Sequence, residues 1–239
     1  MVKNYKKAVT FSYDDGVTYD RKLIGIFNKY GIKATFNLIT GNHESAVNGG
    51  WRTKNGVLVS RNDFLTEEGK KVYDGHEIAV HTRNHPWLRK IDDESLKNEI
   101  LKNRDDIEKI FGKKPVGMAY PFNDYDDRAV KILSDNGFLY AREGRSTHSF
   151  DLQCDLLRFC PTCHHNDEKL FELAKEFVDM ECDNLKIFYV WGHSYEFEDD
   201  GNWDRIEKLC AFLSGREDIL FGTNRDVFEL QKSIEQHNG

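Results

Sequence analysis

The feature that most constrains the fold of this chain is a repeated alternation of short apolar segments with longer segments of helical periodicity. The short segments are rich in β-branched and aromatic residues. Such alternation is typical of βα units, in which helices cover a sheet of parallel strands. We predict strands at residues 7–13, 33–39, 76–80, 116–120, 138–141, 155–160, 185–191 and 218–222. The pattern therefore predicts an α/β fold built on a parallel sheet or barrel.

Three of the segments between the strands have clear helical periodicity. Residues 18–30, 93–111 and 167–180 each carry apolar side chains on one helical face, and Gly31 and Gly112 follow two of them as helix-ending residues. Residues 41–61 are instead rich in glycine and asparagine, so we expect a long loop there. Because no Pro/Gly/Ser-rich linker interrupts the chain, we expect a single catalytic domain over residues 1–239.

Charge and hydropathy narrow the classes of partner. The chain has 41 acidic and 34 basic residues and a formal charge of −7, which argues against nucleic acid or an anionic membrane surface as a partner. No apolar run approaches the roughly 18 residues of a membrane helix. The first residues lack the apolar region of a secretory signal, so a cytoplasmic location is expected. A small or neutral ligand is a better match to this composition, and the sequence does not indicate an oligomeric state.

The cysteine-rich segment invites two metal interpretations. Cys160, Cys163 and His164 match the C-x-x-C-H pattern of covalent haem attachment, and together with Cys154 and His165 they could be drawn as a structural zinc site. The sequence has no export signal for haem attachment and no second C-x-x-C pair. We therefore expect a reduced loop whose thiols bind neither group.

The first candidate catalytic motif is a pair of carboxylates at the end of the first predicted strand. Asp14 and Asp15 precede Gly16, which allows the chain to turn. Active sites of barrel-like α/β folds lie at the carboxyl ends of strands, where one carboxylate can bind a metal and the other can act as a base. The alternative is a solvated turn with a helix cap.

The second motif is a pair of histidines directly after the strand at 76–80. His81 and His85 would share one face of a helix and could bind one metal ion through neutral imidazole nitrogens. The alternative is two unrelated polar residues in a loop. A carboxylate pair at the end of another strand favours the metal interpretation.

Two further motifs also end predicted strands. His193 follows an apolar strand and can act as a general acid, or it can be a hydrogen-bonded core residue. Tyr120 and Pro121 form a turn after which the backbone N–H of Phe122 can donate to an oxyanion. Because each motif ends a separate strand, the sequence predicts one site at one end of the sheet.

The order of these motifs resembles the polysaccharide deacetylase family, the metal-dependent deacetylases of chitin, peptidoglycan and xylan. Residues 12–16 resemble the family's T-F-D-D-G motif, residues 81–85 match H-[ST]-x-x-H, and residues 189–193 are similar to L-x-x-x-H. The resemblance covers residues 7–230 and implies a distorted, incomplete (β/α) barrel. It also implies that Asp14 is the general base, that Asp15, His81 and His85 hold the metal, and that His193 is the general acid.

The chain departs from the family's pattern at three places. The arginine of the R-x-P-[YFW] motif, which pairs with the catalytic base in the family, is replaced by Ala119. We predict that Arg158, at the end of a predicted strand, takes its place. The Asp-Trp motif has no clear counterpart, and the leucine of the last motif is Tyr189.

These observations predict a metal-dependent hydrolase that removes acetyl groups from N-acetylated, and possibly O-acetylated, sugars or oligosaccharides. Two imidazoles and a carboxylate suit Zn²⁺, although Co²⁺, Ni²⁺, Mn²⁺ and Fe²⁺ are also compatible with these ligands. We expect aromatic residues to stack on sugar rings, namely Trp87, Trp191, Tyr195 and Phe122. One alternative is an amide hydrolase of the same superfamily that acts on cyclic imides or ureides, and another is a non-catalytic sugar-binding module.

Overall fold

The computed structural model describes residues 5–238, and most of its strands form one parallel sheet. Residues 1–4 and 239, which the predicted domain includes, lie outside the described residues. The strands, in chain order, are β1 (Lys7–Asp15), β2 (Thr35–Leu38), β3 (Trp51–Arg52), β4 (Leu58–Val59), β5 (Glu77–Val80), β6 (Gly117–Ala119), β7 (Tyr140–Arg142), β8 (Cys163–His164), β9 (Lys186–Gly192) and β10 (Ile219–Phe221).

Helices connect the strands. They are α1 (Asp20–Lys29), α2 (His43–Asn48), α3 (Glu67–Lys71), α4 (Asp93–Phe111), α5 (Asp127–Asp135), α6 (Leu170–Asp179), α7 (Glu196–Asp199), α8 (Trp203–Leu213) and α9 (Asn224–Asn238). The longest interior helix, α4, begins at the side chain of Asp92, which accepts the Ser95 N–H, and ends at Gly112 in the left-handed conformation. No helix within residues 5–238 has the length and apolarity needed to cross a bilayer.

The parallel sheet has the strand order β7-β6-β5-β2-β1-β9-β8, and β10 also pairs with β1. The first residues of β1 pair with β10 on one side, and its last four residues pair with β2 on that same side. Strand β9 follows β1 along its other side. The carboxyl ends of β1, β2, β5, β6, β7 and β9 consequently meet at one end of the sheet.

The sheet forms an incomplete barrel, which confirms the predicted fold class. Its two end strands, β7 and β8, are not directly paired. The segment before β8 spans this opening, because the Phe159 N–H donates to the carbonyl of Ala141 in β7 and the Thr162 N–H donates to the carbonyl of Tyr189 in β9. The barrel is thus completed on this side by an irregular segment.

Alternation along β1 separates a helix-covered apolar side from a polar interior. Val9, Phe11 and Tyr13 belong to the main hydrophobic core. The intervening Thr10 hydrogen-bonds to Asn224 of α9, and Ser12 accepts a hydrogen bond from Asn37 of β2. Because side chains alternate along a strand, Asp14 follows Thr10 and Ser12 into the interior. This alternation places the first candidate catalytic residue.

The predicted elements agree with the structure at most positions. The predicted strand at 155–160 is wrong, because Leu156–Arg158 is a 3₁₀ turn that begins at Asp155, whose side chain accepts the Leu157 N–H. The expected loop at 41–61 contains α2 and the short hairpin of β3 and β4. That residues 1–239 form a single domain stays a prediction.

Candidate active site

A cavity of about 600 Å³ lies where the carboxyl ends of the strands meet. Most of the side chains predicted from the four motifs line it. They are Asp14, Asp15, His81, His85, Tyr120, Phe122, Trp191, His193 and Tyr195. The structure therefore brings together motifs that are up to 180 residues apart in the sequence.

Asp15, His81 and His85 form a compact group of potential metal ligands. Their ligand atoms all lie within 4.8 Å of one another. The Asp15 Oδ1 is 3.6 Å from the His81 Nε2 and 3.8 Å from the His85 Nε2. Two imidazole nitrogens and a carboxylate oxygen are the donor types of catalytic zinc sites, in which three protein ligands leave a position open.

The environment of both histidines favours metal binding. The His81 Nδ1 lies 2.8 Å from the carbonyl oxygen of Ala119, which can only accept, so Nδ1 carries the proton and the Nε2 lone pair faces the cavity. That buried Nε2 has no hydrogen-bond partner among the described residues. Burial lowers the pKa of His85 to about 4, so His85 is a neutral imidazole. These residues fit a divalent metal ion.

The segment that carries the two histidines is a loop, so the sequence argument from a shared helical face is wrong. Thr82 and His85 have the left-handed φ angles 63° and 56°, and the His85 N–H donates to the Thr82 hydroxyl. Glu99 of α4 accepts the backbone N–H groups of Arg83 and Asn84 at 2.9 and 2.7 Å. A tight turn anchored to α4 therefore brings the two imidazoles together.

Asp14 lies beside the potential ligands and is held in its ionised form. It is only 3% exposed, and its carboxylate accepts hydrogen bonds from the Asn37 amide at 2.8 Å and from the Arg142 guanidinium at 2.5 and 2.6 Å. Burial would raise the pKa of Asp14, but the charges of Arg142, His81 and His193 and the hydrogen bond from Arg142 together lower it to about 2.

The cation beside Asp14 is Arg142, and the prediction that Arg158 fills this place is wrong. Arg158 lies in the 3₁₀ turn and binds Asp155 and Asp127, with about a third of its side chain exposed. Arg142 is the last residue of β7 and is paired in register with Ala119 of β6. It is 2% exposed, and its guanidinium lies 4.5 Å from the centre of the Trp191 ring.

His193 follows β9 and faces both carboxylates. Its Nδ1 is 3.3 Å from the Glu196 Oε1, and its backbone N–H donates to the Glu196 Oε2. Burial would lower the pKa of His193, but the contact with Glu196 and the charges of Asp15 and Asp14 raise it to about 9. His193 is thus a cation near neutral pH and can give a proton to a group in the cavity.

Aromatic residues surround the cavity at different depths. Phe122 is 50% exposed and packs between the rings of His85 and Trp87. The rings of Phe122 and Trp87 are nearly parallel, and their centres are 4.4 Å apart. Trp87 stacks on the outer side and does not line the cavity. Pro121 is buried and begins the 3₁₀ turn that carries Phe122. On the other wall, Tyr195 makes an edge contact with Trp51.

Several site residues were not predicted from the sequence. Asn37 lies inside a predicted strand, where a polar residue in an apolar run was the available signal. Arg142 comes one residue after the predicted strand 138–141. It therefore lies at the carboxyl end of its strand, as His81 and His193 do at the ends of theirs. Other lining residues were not predicted either, namely Ile39, Trp51, Arg61, Asn123, Gly144 and Arg145.

The cysteines contribute to neither group of potential metal ligands found among residues 5–238. Cys160 and Cys163 are buried and Cys154 is exposed. Burial raises the pKa of the Cys163 thiol, which disfavours the thiolate that zinc requires. That these thiols bind no metal or haem stays a prediction.

Comparison with known proteins supports the arrangement of the motifs. The family model "polysaccharide deacetylase" matches residues 2–141. A peptidoglycan-N-acetylglucosamine deacetylase of Bacillus cereus is 30% identical over 139 residues, which are 57% of this chain and 56% of that protein. The chain spans about half the length of the curated relatives that it matches.

Solved structures share the fold. A Mycobacterium smegmatis protein that carries the same family name superposes with a TM-score of 0.69 at 15% identity, over 98% of this chain and 93% of that one. A peptidoglycan deacetylase of Bacillus subtilis gives a TM-score of 0.58 at 16% identity, over 99% of this chain and 97% of that one. At these identities the likeness concerns the fold alone.

Proposed function

Because the chain belongs to the polysaccharide deacetylase family, we propose that it is a metal-dependent hydrolase that removes acetyl groups from N-acetylated sugars or oligosaccharides. The observation that carries this proposal is the position of Asp14. This ionised carboxylate lies directly beside the ligand group of Asp15, His81 and His85, and the His81 Nε2 is 3.9 Å from its Oδ2. A base next to a metal-type ligand set is an arrangement suited to the hydrolysis of an unactivated amide by water.

Asp15, His81 and His85 would hold the metal in this reaction. A divalent ion bound there supplies Lewis acidity to the acyl carbonyl and to water. Zn²⁺ suits the donor set best, and Co²⁺, Ni²⁺, Mn²⁺ and Fe²⁺ are alternatives with the same ligands. The buried, unpartnered Nε2 of His81 supports this assignment.

The chain's own residues supply the proton transfers. Asp14 accepts a proton from the attacking water, and Arg142 keeps that carboxylate ionised and oriented. His193, cationic through its contact with Glu196, donates a proton to the leaving amine. One water and one acetamide thus give one acetate and one amine. The backbone N–H of Phe122, at the rim of the cavity, is the proposed donor to the oxyanion.

The shape of the site supports a sugar substrate. The cavity is open to solvent and lined by Trp191, Tyr195 and Phe122, which offer flat apolar surfaces next to polar groups. Trp87 extends the surface of Phe122 outward. Such a mixture is typical of a small-molecule site in which a few polar groups fix the orientation of the ligand.

The absence of an arginine at position 119 favoured the alternative of cyclic imide or ureide hydrolysis. The position of Arg142 removes that reason. The guanidinium that pairs with the base is present, but it comes from the neighbouring strand. We therefore retain acetyl removal as the proposal and make ring opening an outcome of its test.

The test combines metal content with product analysis. We would measure bound metal by mass spectrometry and acetate release from N-acetylglucosamine oligomers for the wild type, Asp15→Asn and Asp14→Asn. The wild type should bind one metal ion at this group and release acetate. Asp15→Asn should lose that ion, whereas Asp14→Asn should keep it and lose at least about 100-fold in turnover.

Three results would contradict the proposal. Near-normal turnover by Asp14→Asn would remove Asp14 from the role of base. Ring opening of cyclic imides or ureides by the metal-loaded wild type, with no acetate released from any acetylated sugar, would favour the alternative hydrolase. Sugar binding without any turnover would indicate a binding module.

A further inference from the structure

A second cluster of potential metal ligands lies on the far side of His193 from the Asp15 group. His164, His193 and Glu196 place their ligand atoms within 4.8 Å of one another. Glu196 is at the centre, with its Oε2 3.1 Å from the His164 Nε2 and its Oε1 3.3 Å from the His193 Nδ1. Nothing in the proposed deacetylation requires His164.

A buried third imidazole points to a ligand at this cluster. The His165 side chain is fully buried, and its Nε2 lies 3.1 Å from the same Glu196 Oε2. Neither ring nitrogen of His165 makes a hydrogen bond of good geometry among the described residues. The ring is fixed in this position, because it packs against Phe197 and directly over Gly192, where a Cβ would come within 2.1 Å of its Nδ1. Within the cluster itself the buried Nδ1 of His193 also makes no hydrogen bond of good geometry among the described residues, and such a buried polar atom is costly unless something satisfies it.

The spacing of the cluster suits a tetrahedral ion. Zinc bonds of about 2.0–2.2 Å to nitrogen and oxygen place neighbouring ligand atoms about 3.3–3.6 Å apart. The His164 Nε2 lies 3.1 Å from the Glu196 Oε2, and the His193 Nδ1 lies 3.3 Å from the Glu196 Oε1. Both separations need only small adjustments to reach that range. The side chains of His164, His193 and Glu196 are 22–26% exposed, so an ion can reach them from solvent.

One contact opposes binding in the conformation described. The His164 Nδ1 accepts the backbone N–H of Asn166 at 3.1 Å, so its Nε2 carries the proton in the neutral ring. Coordination through Nε2 would move that proton and give up one hydrogen bond, which contributes about 1 kcal/mol. Zinc bound by three protein ligands contributes far more than this.

We propose that His164, His193 and Glu196, with His165 beside them, form a second site for a zinc-type divalent ion, and that its occupation inhibits the enzyme. A metal bound at the His193 Nδ1 would replace the proton on that nitrogen and leave the proton on Nε2, which such a ring gives up far less readily than imidazolium does. The site binds metal whether or not the chain is a deacetylase. The inhibitory consequence rests on the proposed function, because it requires His193 to be the proton donor.

The binding experiment uses tag-free protein, kept reduced and equilibrated with increasing Zn²⁺, and counts bound metal by mass spectrometry. The wild type should take up two ions. His164→Gln and Asp15→Asn should each take up one, since each lacks a ligand of a different site, and the control His43→Gln should take up two. The counts are compared at the lowest free Zn²⁺ that gives two ions in the wild type, where a loss of at least about tenfold in affinity leaves the second site of His164→Gln mostly empty.

Further measurements identify the ligands and the effect. Co²⁺ in Asp15→Asn should show ligand-field absorption without a thiolate charge-transfer band, which separates the cluster from the five cysteines. Excess Zn²⁺ should inhibit the wild type and His43→Gln at least about tenfold more effectively than His164→Gln. Glu196→Gln gives a second binding test if His164→Gln does not fold, as judged by circular dichroism.

Uptake of only one ion by the wild type would overturn the proposal, as would two ions in His164→Gln or a thiolate band with Co²⁺. If the cluster binds metal as expected and no variant releases acetate, the second site stands and the proposed deacetylation fails. The two failures are therefore distinguishable.

Discussion

Ala119 and Arg142 are paired residues on the adjacent parallel strands β6 and β7, and the guanidinium of Arg142 reaches Asp14. The family to which the chain is similar carries its arginine at the position of Ala119. The small side chain of Ala119 is fully buried next to β7. The same charge therefore enters the site from the neighbouring strand, which preserves the pairing with the base.

Arg142→Met should lower turnover by about 100-fold or more, because the buried carboxylate of Asp14 loses the guanidinium that holds it in position. Arg142 lowers the pKa of Asp14, so its removal raises that pKa, and the acid limb of the kcat/KM profile should move to higher pH. Steady-state kinetics over a range of pH checks this. Arg158→Met is the matched control and should leave the profile unchanged, since Arg158 pairs only with Asp155 and Asp127.

Glu99→Ala should weaken metal affinity by about 10- to 100-fold, as expected for an outer residue that orients ligands. Its carboxylate accepts the N–H groups of Arg83 and Asn84 and the Asn84 amide, and thereby holds the turn between His81 and His85. Zinc titration by calorimetry measures the effect. Glu108→Ala, an exposed position on the same helix, should bind zinc as the wild type does, and equal affinity in both variants would contradict the role of Glu99.

Zinc should stabilise the folded chain, because the ligand group exists only in the native state. When the free zinc concentration is about 100 times the dissociation constant, one occupied site raises the free energy of unfolding by about 2.7 kcal/mol. For a chain of this size that raises Tm by about 5–10 °C. Differential scanning calorimetry with and without chelator tests this, and Asp15→Asn should show a clearly smaller rise. An identical rise in that variant would place the stabilising ion elsewhere.

Stability should decrease between pH 5 and 7.5 because of Glu77. Burial raises the pKa of Glu77 to about 7, although hydrogen bonds from the Arg225 N–H, Thr35 and Tyr140 oppose the shift. The folded pKa is above the unfolded one, so the folded state retains a proton that the unfolded state loses. The contribution of this proton to the free energy of unfolding is complete below about pH 4, and it is lost as the pH rises through 7.

Glutamine cannot ionise. Between pH 5 and pH 7.5 the free energy of unfolding of Glu77→Gln should therefore fall by about 1–3 kcal/mol less than that of the wild type. Urea unfolding at the two pH values gives both free energies. Glu94→Gln, an exposed position, is the control and should follow the wild type. Parallel stability curves for wild type and Glu77→Gln would show that Glu77 does not carry the pH dependence.

Much of the fold follows from local patterns in the sequence. The helix at 93–111 was predictable because its apolar period, its Asp92 cap and Gly112 all lie within one segment. The apolar run at 155–160 misled for the opposite reason. Its conformation depends on the Asp155 cap and on the bond from the Phe159 N–H to the distant Ala141 carbonyl.

The sequence predicted the residues of the four motifs, but not the contacts between them or the lining residues outside the motifs. Each motif ends a strand, so convergence followed from parallel topology alone. The pairing of Asp14 with Arg142 joins residues 128 positions apart, and no local signal distinguishes Arg142 from Arg158. The conformation of the 81–85 segment also escaped prediction, because residues other than glycine seldom adopt positive φ.

The left-handed backbone at Asp15, His85 and Phe122, with φ angles of 78°, 56° and 55°, has a consequence for how the chain can be engineered. Each such residue costs about 1–2 kcal/mol relative to glycine, which adopts this conformation without strain. In the metal-free chain, glycine at these positions should therefore give a more heat-resistant protein that lacks its ligand or its aromatic surface. Selection for thermostability without metal would favour loss of the site, so stabilising substitutions should be sought in the helices and kept away from these three residues.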